Sequence, residues 1–382
     1  MRLLATAADP LAGYTPGESV LFSSSGGTLL TRGVRDVVGG DLATLAGRVA
    51  AALGAAAGPV GAARAAGAGV AAGAVGFDGT AHLVVPAAAT WSDPLGQGPE
   101  TPRGGWRVRP VPAPQDYAKA VRLALERMDA GLLEKVVLAR TLELTSDRPI
   151  DLLDLIRPLV GRDRSFAAPL PGGRTLIGAS PELLVSRRGR SVVSNPLAGS
   201  AARSTDPAED RRRATALTSS AKDLYEHRLV VESVADALAP YCAELDVPAA
   251  PELTATGTMW HLSTHVTGVL RDPDTSVLTL AAALHPTPAV CGTPRAEARR
   301  VIGELEPFDR GFYTGMVGWA DAAGDGEWAV TIRCAEVAER VLRLYAGAGI
   351  VTGSDPEREL AETTAKFRTM LHALGVNTDA LA

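Results

Sequence analysis

Cysteine is scarce in this chain of 382 residues: Cys242, Cys291 and Cys334 are widely spaced, with no CxxC pair among them. That scarcity argues against a disulfide framework or a cysteine zinc site and fits a reducing, cytoplasmic setting. A basic excess is lacking too. Lys and Arg number 38 against 43 Asp and Glu, for a formal net charge of -5, so there is no cationic field for nucleic acid or an anionic membrane. The one basic run, Arg211-Arg212-Arg213, follows Glu209 and Asp210 and reads as a solvated helix face. The N-terminus has no basic stretch leading into an apolar one, so no signal peptide is expected. No long apolar run exists either. The Ala/Gly stretch 42–75 is interrupted by Arg48, Arg64 and many glycines, too weakly hydrophobic for a membrane span. It reads as a surface helix, a loop and a strand. Repeats are absent, and nothing suggests an obligate assembly, so a monomer is expected.

What is present is a long series of strands with helices set between them. Apolar and β-branched runs mark strands at 19–22, 28–32, 81–85, 135–144, 174–178, 183–186, 192–194, 264–270, 316–320, 328–334 and 341–346. Helical spacing marks 117–130, where Tyr117, Val121, Ala124 and Met128 share a face, and also 152–160, 206–240, 277–284, 295–305 and 355–374. Strands at hairpin spacing with segregated helices indicate an α+β fold, not alternating βαβ units. The glycine-rich 96–98 and the following 99–105 have the composition of a linker. Gly347-Ala348-Gly349, after a strand, has neither GxGxxG nor Walker spacing. It reads as backbone brought close to a ligand carboxylate, since glycine permits close approach.

Two segments carry paired acids. In 354–366, Ser354 and Glu357 form a capping-box pattern with Pro356 in the first turn, and Leu360, Phe367, Leu371 and Leu374 supply an apolar stripe. Glu359 and Glu362, three apart, project from one side of that helix. The segment 221–227 repeats the arrangement with Asp223 and Glu226, and Leu229, Val230, Val234 and Leu238 continue at helical spacing. Like charges so placed repel unless a cation lies between them. An oxygen-bound divalent ion, magnesium above all, is one occupant; the other reading is two solvated acidic faces, which most charge runs are.

Further motifs join chemistry to structure. Lys135 opens the apolar run Val136-Val137-Leu138-Ala139-Arg140, and Ile177-Gly178-Ala179-Ser180-Pro181-Glu182 ends a strand on a single acid. Pro196-Leu197-Ala198-Gly199-Ser200 reads as a tight loop, and His285-Pro286-Thr287-Pro288-Ala289-Val290 as a rigid turn. Thr331-Ile332-Arg333-Cys334 places one arginine inside an apolar strand, where a bidentate carboxylate is its best partner.

Together and in this order, these motifs closely resemble the chorismate-utilising enzymes, and within them the isochorismate synthases of the siderophore type. The likeness runs over about 117–374 and includes KVVLAR, IGASPE, PLAGS, KDLYEH, WHLST, ELEPFDR, TIRCAE and GAGIV. Residues 1–110 match more loosely, through Leu21-Phe22-Ser23-Ser24 and Gly73-Ala74-Val75-Gly76-Phe77-Asp78.

The resemblance implies that 1–382 form a single large α+β domain of two packed antiparallel sheets surrounded by helices, with the 99–105 loop internal to it. It implies chorismate as substrate and Mg2+ as cofactor. Lys135 becomes the general base and Glu182 the general acid. Glu226 and Glu362 become direct metal ligands, with Asp223 and Glu359 acting through water. Arg333, Tyr345 and the backbone of Gly347, Ala348 and Gly349 would hold a substrate carboxylate. Gly199 and Ser200 would line the ring, with His261, Tyr313, Lys366, Ala289 and Val290 as further pocket residues. Relatives that use ammonia generally carry glutamine at the Lys135 position, so water is the expected nucleophile. Salicylate synthases keep the lysine but tend to place threonine at the Ala289 position, so isochorismate is the expected end product. Ala221, where many relatives carry an acid, and Cys291, where serine is usual, depart from the pattern without removing a residue assigned to chemistry. A non-catalytic chorismate-binding regulator should have lost a base, acid or ligand, and this chain has lost none.

Overall fold

A computed structural model describes residues 11–56, 69–98 and 105–373. The middle of the Ala/Gly stretch, most of the 99–105 loop and Leu374 lie outside the described residues. The described residues hold twenty strands in two sheets, a ladder of 17 strands and a separate sheet of 3. Every recorded pairing is antiparallel, as short connections between neighbouring strands dictate.

The ladder has two halves. From Trp106–Val111 it runs through Lys135–Ser146, Val341–Val351, Cys334–Ala338, Arg174–Ser180 and Arg164–Leu170 to Leu21–Ser24. There it passes to Gly27–Asp41 and continues through Thr80–Ser92, Val70–Val75, Met316–Asp321 and Gly326–Val330. Leu183–Arg188, Ser191–Asn195, Val266–Leu270 and Cys242–Asp246 follow, and the two-residue strand Gly292–Thr293 beside Lys135–Ser146 completes it. One apolar cluster takes Phe166, Cys334 and Tyr345 from the first half and Ala72, Val317 and Trp319 from the second. The halves therefore pack face to face, as α+β layers must to bury their apolar faces, and they are joined along one edge.

Several elements differ from the sequence expectation for identifiable reasons. The 206–240 segment is two helices, Pro207–Ser219 and Ala221–Leu238, because Ser220 turns extended and its side chain accepts from the Asp223 amide. The last helix, Pro356–Ala373, is capped by Asp355, which accepts from the Arg358 amide at 2.9 Å; Ser354 instead accepts from the Val351 amide. The 328–334 run breaks into Gly326–Val330 and Cys334–Ala338, so Arg333 lies between strands, at φ 49°. The supposed PLAGS loop is a bulged strand, Leu197–Ala202, paired with Met259–Ser263 in the small sheet. The glycines at 347 and 349 sit inside the strand Val341–Val351 rather than after it.

Candidate active site

Four pieces of the fold meet around a cavity of about 780 Å³, counting the space at its mouth. They are the Val341–Val351 strand with its neighbour Lys135–Ser146, the bulged strand Leu197–Ala202, the helix Ala221–Leu238 and the helix Pro356–Ala373. Glu182, Gly199, Ser200, Glu226, His261, Ala289 and Val290 line it, as do Tyr313, Arg333, Tyr345, Gly347, Gly349, Glu362 and Lys366. Ala348 does not. Strand alternation turns it to the opposite face, buried against other side chains. Lys135, Asp223 and Glu359 stand behind the lining.

Lys135 is fully buried, and its Nζ lies 2.9 Å from Glu226 Oε1. That ion pair lacks hydrogen-bond geometry, so the buried nitrogen has no acceptor of good angle. Gly349 makes the pair possible: a Cβ there would collide with the Glu226 carboxylate and come within 3.2 Å of Lys135 Cε. Gly347 plays the same part for the Tyr313 hydroxyl, which a Cβ would meet at 2.9 Å. The close approach foreseen for these glycines is thus to functional side chains. The Gly347 carbonyl accepts from Lys366 Nζ at 2.9 Å.

Glu182 sits just past the end of the Arg174–Ser180 strand, its amide held by Ser180 Oγ. Burial pushes its carboxyl up to about 8, against the lowering effect of the Leu197 amide, Lys135 and Lys366. Without a paired charge close by, a desolvated carboxyl keeps its proton. At neutral pH Glu182 is an acid with a proton to give.

Arg333 is buried beside His261 and donates to its Nε2. Burial, then Arg333 and Lys366, holds the His261 imidazole well below its usual range, so its Nε2 is a neutral acceptor. Among the described residues the one carboxylate paired with the guanidinium is Asp163, at 3.7 Å. A buried arginine so weakly compensated is a seat for an anion. Asp163 carried no sequence signal, as a loop residue outside every motif. Tyr313 and Tyr345 stack with ring centroids 4.8 Å apart and form a flat wall.

The two acid-bearing helices do come together. Lys222 Nζ bridges them, 2.7 Å from Glu359 Oε1. Glu362 Oε1 accepts from Ser200 Oγ at 3.0 Å and lies 2.7 Å from Lys366 Nζ. Glu359 is raised by burial and by the Glu362 charge, while in Glu362 the lysines 366 and 222 and Ser200 outweigh burial and lower it. Burial also raises Asp223. Among the described residues no three His, Cys, Asp or Glu side chains close into a metal-holding group. Each of Glu226, Glu359 and Glu362 leans on a lysine instead. The donors still fit a hard divalent cation: all are oxygen, and Glu359 Oε2 is buried with no hydrogen-bond partner. Lys222, one residue before Asp223, went unassigned in the sequence because nothing local says which acid a lysine will reach.

Residues 97–375 match the family model described as chorismate binding enzyme. The isochorismate synthase DhbC of Bacillus subtilis is 52% identical, over 95% of this chain and 95% of its own. The vibriobactin-specific isochorismate synthase of Vibrio cholerae is 50% identical over 69% of this chain and 68% of its own. The crystal structure of DhbC from Bacillus anthracis superposes with a TM-score of 0.90 at 49% identity, over 96% of this chain and 99% of that one. With the family model spanning most of its length and near-full-length likeness in sequence and fold, the chain belongs to the chorismate binding enzymes.

Proposed function

We propose that this protein is an isochorismate synthase, an isomerase that adds water at ring carbon 2 of chorismate, shifts the double bonds and expels the 4-hydroxyl. The observation that carries the reading is Glu182, a carboxyl held protonated by burial in the wall of a cavity, with Lys135 near enough to act on its charge. Water attacks poorly, so its proton must leave as it adds, and Lys135 is the base proposed to take it. Hydroxide leaves poorly, so Glu182 protonates it as the bond breaks. One water is consumed and one released, and the two side chains then return the borrowed proton through solvent. Arg333, backed by His261, holds one substrate carboxylate, and the stacked tyrosines with Gly199 confine the ring. The chain uses a divalent metal in this reading, and magnesium is the proposed ion, with Glu226 and Glu362 as ligands and Asp223 and Glu359 behind them. When bound it neutralises and orients a substrate carboxylate.

Likeness to the vibriobactin-specific enzyme and to DhbC supports a place in siderophore biosynthesis. We place the chain in the cytoplasm as one chorismate-binding domain and a monomer. No described helix is long and apolar enough to cross a membrane. Pairing of Met316–Asp321 with Val70–Val75 supports a domain that includes the N-terminal third.

Product analysis tests the reading against its nearest rival, a salicylate synthase. Pyruvate loss from isochorismate needs the enolpyruvyl side chain folded over the ring, and Ala289 and Val290 offer no polar side chain to hold it there. Purified protein with chorismate and magnesium is expected to approach one chorismate–isochorismate ratio from either side, with little pyruvate. Stoichiometric salicylate and pyruvate would make it a salicylate synthase, and an aminated product with ammonium would remove water as the nucleophile.

The metal has its own test. Glu226→Gln and Glu362→Gln are each expected to weaken magnesium binding on the order of 10-fold or more, read as a smaller magnesium-induced rise in Tm, with activity partly restored by excess magnesium. Full wild-type turnover in saturating chelator would contradict the roles given to all four acids.

A further inference from the structure

The ELEPFDR motif lines no part of the cavity, yet it contains the most completely bonded buried charges in the described structure. Glu306 and Arg310 are each 2% exposed in their side chains and pair at 2.5 Å. Arg310 also donates to the Val290 carbonyl at 2.8 Å, to Thr314 Oγ1 at 3.2 Å and to the Val137 carbonyl at 2.7 Å. Glu306 Oε1 accepts from the Ala139 amide at 2.8 Å. Val137, Val290 and Thr314 are all cavity-lining residues from separate segments.

The edge of the Lys135–Ser146 strand explains why a side-chain pair is needed there. Gly292–Thr293 pairs with it only as far as Val136, and Trp106–Val111 takes over only at Thr141. Between them the Val137 carbonyl and the Ala139 amide face no strand. An unmet backbone group in so buried a place forfeits its hydration with no hydrogen bond in return. The Glu306–Arg310 fork fills both positions and, by the same guanidinium, ties the strand to the turn carrying Ala289 and Val290.

We propose that Glu306 and Arg310 form a positioning pair for the reaction: they set the distance between the strand that carries Lys135 and the cavity wall formed by Ala289, Val290 and Thr314. The proposal rests on the isochorismate synthase reading. A flat, five-donor guanidinium can bridge two carbonyls and a carboxylate at once, whereas a lysine ammonium in its place reaches fewer of them. Loosening the bridge displaces the base relative to the ring without removing any group that binds chorismate. The loss therefore falls on kcat rather than KM.

The test is steady-state kinetics of Arg310→Lys and Glu306→Gln in the full chain with magnesium. Arg310→Lys is expected to lower kcat by about 10²-fold, the usual effect of a misplacement near 1 Å, with KM for chorismate little changed. Glu306→Gln keeps an acceptor for the Ala139 amide and is expected to lose less. If Arg310→Lys does not fold, the double variant Glu306→Gln/Arg310→Met removes both charges, so that neither is left buried and unpaired, and the same fall in kcat is expected of it. Wild-type kcat per folded molecule in a folded variant that lacks the bridge, with only Tm lowered or only KM raised, would overturn the pair's positioning role. Absence of chorismate turnover by the wild type would instead overturn the reading on which it rests.

Discussion

Lys135→Ala is expected to cut isochorismate formation by about 10²-fold or more, the usual cost of removing a general base, equivalent to roughly 3 kcal/mol in the barrier. The side chain is fully buried, and its one close partner is Glu226 at 2.9 Å. Chorismate binding is expected to survive, because Arg333, Lys366 and the stacked tyrosines line the cavity and Lys135 stands behind that lining. Folding is expected to survive as well: Glu226 is left beside Gly349 with its carboxylate still at the cavity surface, where water reaches it. Isothermal titration with chorismate, alongside turnover measured by chromatography, separates the two effects. Turnover near the wild-type rate would remove Lys135 from the mechanism, and loss of chorismate binding with loss of turnover would make it a binding residue instead.

Much of the fold and of the candidate site was legible because its signals are local. The helix 295–305 and the strand 316–320 show their period in a few residues, and the structure has Arg295–Leu305 and Met316–Asp321 there. Fourteen cavity-lining positions followed from the family resemblance that the ordered motifs carry. What stayed hidden depends on partners far away in sequence. Trp106–Val111, with two arginines and a proline, is not among the strands expected from the sequence, yet it pairs along Lys135–Ser146. Arg333 looked like a strand residue because Thr331, Ile332 and Cys334 are strand formers. Its left-handed φ takes it out of the strand, with its guanidinium donating to His261 and its carbonyl accepting from the Ala179 amide, and so overrides that propensity. Ser354 and Asp355 are both good caps, and only the fold decides between them: the Val351 amide claims Ser354. The acids show the same limit from the other side. Their i, i+3 spacing was plain, but that Lys222 would bridge Ala221–Leu238 to Glu359 on another helix is a tertiary fact.

Glu182→Gln is expected to abolish most activity and to make the protein more stable, and the pH dependence of each effect has a definite sign. The folded carboxyl titrates at about 8 against an ordinary value of 4.5, chiefly because of burial. Between those two pH values the native state keeps a proton that the unfolded chain releases. Stability contributed by this group is thus full below about 4.5 and declines as pH rises through 8. At about 1.4 kcal/mol per pH unit the decline amounts to a few kcal/mol. Glutamine fills the same space, keeps an acceptor for the Leu197 amide and does not titrate. The Tm difference between Glu182→Gln and wild type should be small at pH 5 and grow steadily toward pH 8. The wild-type rate should fall above about pH 8 as the acid loses its proton. The variant, with no proton to give to the departing hydroxide, should be slower by about 10²-fold or more and show no such alkaline limb. Equal Tm differences at pH 5 and pH 8 would mean that Glu182 is ionised in the folded state and cannot be the acid. A variant that keeps wild-type turnover would remove it from the reaction altogether.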